Sequence, residues 1–134
     1  KFTTPNKTNK SISAIDKNEI LEAREIVKKV HIAENIKKYI VSIVLSTRFP
    51  EKNNLKELSQ LINYGASPRA TIFLSIAAKA QAFIKKRSFV IPEDIREVGK
   101  SILRHRIILS YEAEAENIST DDIIDKIFSS IATP

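Results

Sequence analysis

Hydrophobic positions recur along this chain at spacings of three and four, the period of an α-helix seen from one side. Ile20, Ala23, Val27 and Val30 make the first stripe. A second helix is predicted over 33–48, with Ile36, Tyr39, Ile40, Ile43, Val44 and Thr47 on one side and Lys37, Lys38 and Ser42 on the other. Phe49-Pro50 ends it, because a residue before proline is pushed out of the helical region. Residues 51–65 begin polar; Leu55, Leu58, Leu61 and Ile62 predict a short helix there, with Gly65 as a left-handed cap. Pro68 to Ile84 is the most apolar stretch. Phe73, Ile76, Ala77, Ala80 and Ile84 form one face, Leu74, Ala78 and Ala82 fill much of the rest, and Thr71, Ser75 and Lys79 leave a narrow polar strip. A helix apolar over most of its circumference belongs at the centre of a bundle. Pro92 opens another helix with the stripe Ile95, Val98, Ile102, closed by Arg104-His105-Arg106. The last starts near Ser119 and carries Ile123, Ile124, Ile127, Phe128 and Ile131. The pattern predicts an all-α bundle of five or six helices over residues 18–134. Residues 1–17, rich in Thr, Asn, Ser and Pro5, read as a linker or the remnant of a junction with an upstream domain.

Composition supports this picture. The chain has 134 residues, about one domain. Gly65 and Gly99 are its only glycines, too few for the many tight turns of a sheet protein. It has no cysteine, which excludes disulfides and thiolate metal sites, and a cytoplasmic setting is expected. The longest apolar runs are short, such as Ile76–Ala78, so no membrane span is predicted. The chain also lacks methionine, and we expect it to be a piece of a longer protein. The net charge of +6 raises the question of a nucleic-acid or phosphate partner. The cations are scattered, however, with no run longer than Lys85-Lys86-Arg87, and lie among acids as in Glu22-Ala23-Arg24-Glu25. That is a solvated surface and argues against a duplex-binding stripe.

One internal echo stands out. Ser88-Phe89-Val90-Ile91-Pro92-Glu93-Asp94-Ile95 resembles Glu116-Asn117-Ile118-Ser119-Thr120-Asp121-Asp122-Ile123. Helices often start this way: Ser119 can cap with Asp122 completing a capping box, and Pro92 suits the first helical position. A sharper reading is that the extended pieces Phe89–Ile91 and Asn117–Ser119 pair briefly, as in histone-like helical folds.

Gly65-Ala66-Ser67-Pro68-Arg69-Ala70 carries the most chemistry. Ser67 is a favoured N-cap and Pro68 is preorganised for the first turn. Arg69 is the odd residue, since a cation in the first turn faces the positive end of the helix dipole. Either Arg69 bends away to an acid elsewhere, or it serves an anion that guanidinium and helix end attract together, such as a phosphate oxygen.

This segment resembles the signature of MoxR-type AAA+ ATPases. Further matches occur in order: Val30-His31-Ile32, Tyr39-Ile40-Val41, Thr47-Arg48-Phe49-Pro50, Ala77-Ala78-Lys79-Ala80, Arg87 through Asp94, and Leu103-Arg104-His105-Arg106-Ile107. The resemblance covers about residues 12–131 and identifies the C-terminal helical lid of such an ATPase. It implies that Arg69 is the second sensor arginine, reaching the terminal phosphates from the lid, with Gly65, Ala66, Ser67 and Pro68 supporting it. It implies a parent protein that hydrolyses ATP with magnesium, usually as a ring oligomer. The lid's partners would be the core domain of its own chain and neighbouring subunits, with von Willebrand factor A domain proteins as companions in chaperone-like maturation of clients. Ile91 departs from the family, which commonly has threonine there, and so removes a side-chain cap.

Other residues stay open. Arg48 and Arg104-His105-Arg106 end helices, where cations are favoured in any case, or they contact another domain or subunit. His31 and His105 are the only histidines, too few for a zinc site without cysteine. Glu112, Glu114 and Glu116 read as a solvated loop, and Tyr39, Tyr64 and Tyr111 as partly buried packing. A freestanding basic module that binds nucleic acid or a protein is the rival class. The chain contains no glycine-rich phosphate loop with its lysine and no strand ending in paired acids. The chain alone is therefore expected to turn over no ATP above background. A steady-state phosphate-release assay checks this, and turnover abolished by Arg69→Ala would contradict it.

Overall fold

A computed structural model describes residues 14–134; residues 1–13 of the expected linker lie outside the described residues. Asp16 caps the first helix, α1 (Lys17–Lys29), in a reciprocal box in which its backbone N–H donates to Glu19 Oε2 at 2.7 Å. No residue of α1 is buried; Ala23 and Val27 are half-buried and Val30, just past its end, is buried. Helix α2 (Glu34–Arg48) buries the face its pattern predicts, from Ile36 to Thr47, and ends at Phe49 before the buried Pro50.

The region 51–65 departs from expectation. In place of a helix, two 3-10 turns (Pro50–Asn53 and Lys56–Leu58) lead into a short strand, β1 (Ile62–Tyr64). Leu55 and Leu58 are both buried, and their spacing of three is the repeat of a 3-10 turn as much as of an α-helix. Asn54 breaks the path with a left-handed φ of 58°. The chain then pairs antiparallel with β2 (Ile108–Leu109), matching Ile62 with Leu109 and Tyr64 with Ile108. Ser110 fastens the pair, its N–H donating to Leu61 O at 2.9 Å and its hydroxyl to Gln60 O at 2.6 Å. Strands of two or three residues are too short to show an alternating pattern.

Helix α3 (Arg69–Ile84) packs against α1, α2 and α4 (Pro92–Leu103). Its buried residues are Ala70, Leu74, Ala78 and Ala82, one straight stripe at i+4. The face predicted from Phe73, Ile76, Ala80 and Ile84 is not the buried one: Ile76 is 56% exposed, Ile84 70% and Phe73 42%. The neighbours bury the small-residue stripe fully; Ala77 and Ala80 are half-buried, and the larger Ile72, Phe73, Ile76 and Ile84 stay exposed.

Helix α4 starts at Pro92. With Ile91 unable to cap through its side chain, Asp94 accepts from the Ile91 N–H at 2.9 Å. Asp94 is fully buried and also takes two hydrogen bonds from the Arg87 guanidinium, one of them 2.8 Å. Burial alone would push its pKa up, but the bonds from Arg87 and Ile91 outweigh that and hold it below the ordinary aspartate value. Gly99 faces the ring of Phe128, which a Cβ would meet at 2.3 Å.

The echoing segments do not pair. Phe89 forms a parallel bridge with His31, through His31 N–H to Ser88 O (2.9 Å) and Val90 N–H to His31 O (3.0 Å). Asn117, at φ 56°, instead turns the chain so that Ile118 N–H returns to Ala113 O at 2.9 Å. The extended piece after α3 thus finds its backbone partner at the α1–α2 junction. Arg104–Arg106 forms a 3-10 turn, and the expected loop at Glu112–Glu116 holds a short helix, α5 (Tyr111–Ala115). Its glutamates are exposed and Ala113 is buried. Tyr39 is buried as expected, whereas Tyr64 and Tyr111 are 65% and 82% exposed. In α6 (Thr120–Ser130) Ser119 and Asp122 form the predicted capping box, and Ile123, Ile124, Ile127 and Phe128 close the core. Among the described residues, no helix is long and apolar enough to cross a membrane.

Removing Asp94 leaves a guanidinium and a backbone N–H without their partner. We expect Asp94→Ala to lower stability by about 3 kcal/mol in urea unfolding. Because the folded-state pKa of Asp94 is depressed, its contribution is complete above the unfolded value near pH ~4 and is lost as pH falls through the folded value. The difference between wild type and Asp94→Ala should therefore shrink on acidification below that point.

Candidate functional site

The segment that opens α3 is held against the last turn of α2. Thr47, fully buried, donates its hydroxyl to Val44 O at 2.7 Å and accepts the Ala66 N–H at 2.9 Å. The next residue, Arg48, donates through Nη1 to Ala66 O at 3.4 Å. Both backbone groups of the buried Ala66 are thus bonded to consecutive side chains of α2. Gly65 has no positive φ and is not a left-handed cap. It is needed for another reason: a Cβ there would lie 2.1 Å from the Thr47 carbonyl oxygen and 2.8 Å from Arg48 Cα. Only a residue without a side chain lets the loop come this close to α2.

Ser67 makes no side-chain cap. Pro68 already has helical angles (φ −54°, ψ −25°), so the turn begins before the extended cap geometry that Ser67 would need. The first bonds are backbone bonds of the tight kind, Ala70 N–H to Ser67 O (2.9 Å) and Thr71 N–H to Pro68 O (3.1 Å), and the Thr71 hydroxyl also donates to Pro68 O at 2.7 Å.

Arg69 is the first residue of α3 and is exposed. Among the described residues, no carboxylate forms an ion pair with it. Ala70, its neighbour in sequence, is fully buried, which turns Arg69 outward.

Arg104 and Arg106 differ. Arg104 forms a two-pronged pair with Asp121 of α6, both bonds at 2.7 Å. The hydrogen bond from Arg104 holds the Asp121 carboxyl below its ordinary value, and the same bond raises Arg104. Arg104 is therefore engaged within the fold. Arg106 lies over the Phe73 ring, 4.5 Å from its centre, with its Nε buried and without a hydrogen-bond partner. Phe73 stands one turn after Arg69, so Arg106 comes to the first turns of α3 and Arg48 to the loop just before it, while Arg104 turns to α6. His105 is exposed. Among the described residues no group of His, Asp and Glu could hold a metal ion. Sequence reasoning missed the anchoring roles of Thr47 and Arg48; the only signal was a polar Thr at the end of an apolar stripe.

A family model described as the AAA lid domain matches residues 56–127, which include the anchored loop and Arg69. The chain is the lid domain of a MoxR-type AAA+ ATPase. It is 33% identical over 131 residues to Chaperone MoxR1 of Mycobacterium tuberculosis, covering 98% of this chain and 34% of that protein. Protein MoxR of Methylorubrum extorquens is 35% identical over 79 residues, 58% of this chain and 23% of its own length. A crystal structure from Cytophaga hutchinsonii, of a protein classed provisionally as an ATPase, superposes with a TM-score of 0.84 at 50% identity, covering 87% of this chain and 36% of that one. The lid thus spans about a third of the length of the relatives it matches.

The anchoring predicts two stability effects. Thr47→Val keeps the shape but leaves the buried Ala66 N–H unpaired, and should cost about 1–3 kcal/mol. Gly65→Ala forces backbone apart and should cost about 3 kcal/mol. Thermal unfolding of each variant checks both.

Proposed function

We propose that this lid contributes Arg69 to the ATP site of its parent protein as the second sensor arginine. The observation that carries the reading is the presentation of Arg69. It is exposed at the first turn of α3, directly after a loop bonded to α2, with no described carboxylate neutralising it. An exposed planar guanidinium at the positive end of a helix suits a phosphate oxygen. Nearly the whole chain resembles a relative named Chaperone MoxR1 and more than half of it resembles one named Protein MoxR, and this supports the same reading.

ATP with magnesium would supply the terminal phosphoryl group and its charged oxygens. Arg69 would pair with those oxygens from the lid side and help stabilise charge as the bond to the leaving phosphate breaks. Magnesium would be held by the core domain of the parent protein. The buried anchorage of Gly65 and Ala66 to Thr47 and Arg48 would transmit a change at Arg69 to α2 and to the angle of the whole lid. In the complete protein this movement would couple hydrolysis, in a cytoplasmic ring of subunits, to the maturation of client proteins, with von Willebrand factor A domain proteins as companions. The basic residues are scattered among acids, with seven ion pairs among the described residues, and this weighs against a nucleic-acid surface.

In the full-length protein, Arg69→Ala should slow ATP hydrolysis about a hundred- to a thousand-fold while unfolding at the wild-type temperature. Arg69→Lys should recover only part, because a point charge cannot reproduce a planar fork. An Arg69→Ala protein that folds and hydrolyses at the parent rate would overturn the proposal.

A further inference from the structure

Arg104 and Arg106 stand two residues apart, yet only Arg104 meets a carboxylate. Arg106 forms no ion pair among the described residues. Its guanidinium carbon sits 4.5 Å from the centre of the Phe73 ring, and its Nε is buried without a hydrogen-bond partner. Leaving a buried donor unpaired is unfavourable, and a guanidinium keeps its charge at any ordinary pH. A side chain serving only to cover Phe73 could be apolar and escape both costs.

The short sheet explains how Arg106 reaches this place. Tyr64 pairs with Ile108 in an antiparallel register. Two residues further along the two chains stand Ala66 and Arg106, so the pairing carries Arg106 toward the loop that opens α3. Phe73 follows Arg69 by four residues, and side chains four apart share one face of a helix. Arg69 and Arg106 therefore bring two positive charges to the same face of the first turns of α3. Like charges so placed repel each other, and an anion held between them turns the repulsion into attraction.

We propose that Arg106 is a second nucleotide-binding cation, which takes an oxygen of the phosphate chain alongside Arg69. The inference rests on the reading of Arg69, which puts that chain at the start of α3. The ligand it fits is a nucleoside di- or triphosphate, whose successive phosphates offer oxygens to two guanidiniums at once. Stacking on Phe73 restricts the Arg106 fork before the ligand arrives, so less freedom is lost on binding.

The experiment uses the full-length protein with magnesium and a fluorescent non-hydrolysable ATP analogue, read by anisotropy. Arg106→Leu keeps an apolar side chain against Phe73 and removes the charge. It should weaken binding about tenfold and raise KM for ATP by a similar factor. Without nucleotide its unfolding temperature should match wild type, because the lost stacking is offset by relief of the unpaired donor. The rise in unfolding temperature that the analogue gives wild type should shrink in step with the affinity. Arg106→Lys restores the charge without the fork and should recover part of the affinity. If Arg106→Leu does not fold, Arg106→Gln is read in the same way. Unchanged affinity and KM in Arg106→Leu would overturn the proposal. So would a lower unfolding temperature without nucleotide combined with unchanged affinity, the pattern expected if Arg106 pairs instead with a carboxylate of the core domain. A normal Arg69→Ala protein beside a defective Arg106→Leu would overturn the role of Arg69 and uphold that of Arg106; the reverse pattern would overturn Arg106 alone.

Discussion

Everything in this lid is arranged around the narrow side of α3. Ala70, Leu74, Ala78 and Ala82 are the residues it buries, and three of the four are the smallest side chain that still favours a helix. Small residues let neighbouring helix axes come to the near end of the usual 8–10 Å range. Helices α1, α2 and α4 all pack on α3. The stripe also sets where the helix points its first residue. Burying Ala70 orients Arg69 to solvent, so the packing of the bundle and the exposure of the candidate sensor are one constraint.

The charges divide along the same lines. Asp94 and Arg87 meet where neither is freely solvated, and Arg104 spans to Asp121 to join the end of α4 to α6. Arg96 ties α4 to the hydroxyl of Tyr39 at 3.3 Å and to Phe128 O and Thr133 Oγ1 beyond α6. These contacts hold elements to one another. Arg69, by contrast, forms no ion pair among the described residues. Stability and the proposed nucleotide contact therefore draw on different arginines, and a substitution at one set need not disturb the other.

Helix existence was legible because period and punctuation agreed. The stripe of α2, the Phe49-Pro50 stop, and the Ser119–Asp122 box are local signals with local causes. What failed to show were features that depend on distant partners. The β1–β2 pair needs residues 62 and 109 together, and no pattern of two or three residues announces that. The burial of α3 went to its alanines, since neighbours choose the face that allows closest approach and not the most hydrophobic one. The Phe89 bridge to His31 defeated an analogy between two similar helix starts, because backbone groups bond to whatever strand lies beside them. At the candidate site, Gly65 and Arg69 were conspicuous by residue type, but the reason for Gly65 lay in the carbonyl of Thr47, eighteen positions earlier.

Gly99 and Phe128 illustrate how such distant dependence leaves an evolutionary trace. The ring occupies the space where any side chain at 99 would begin. The two positions share a single volume, so neither can drift alone: a larger residue on α4 demands a smaller one on α6, and each intermediate passes through either a clash or a void. Among descendants of this sequence, such a pair should change together or not at all, and the order of exchange should favour shrinking the ring first, because a void is easier for a bundle to survive than an overlap of atoms.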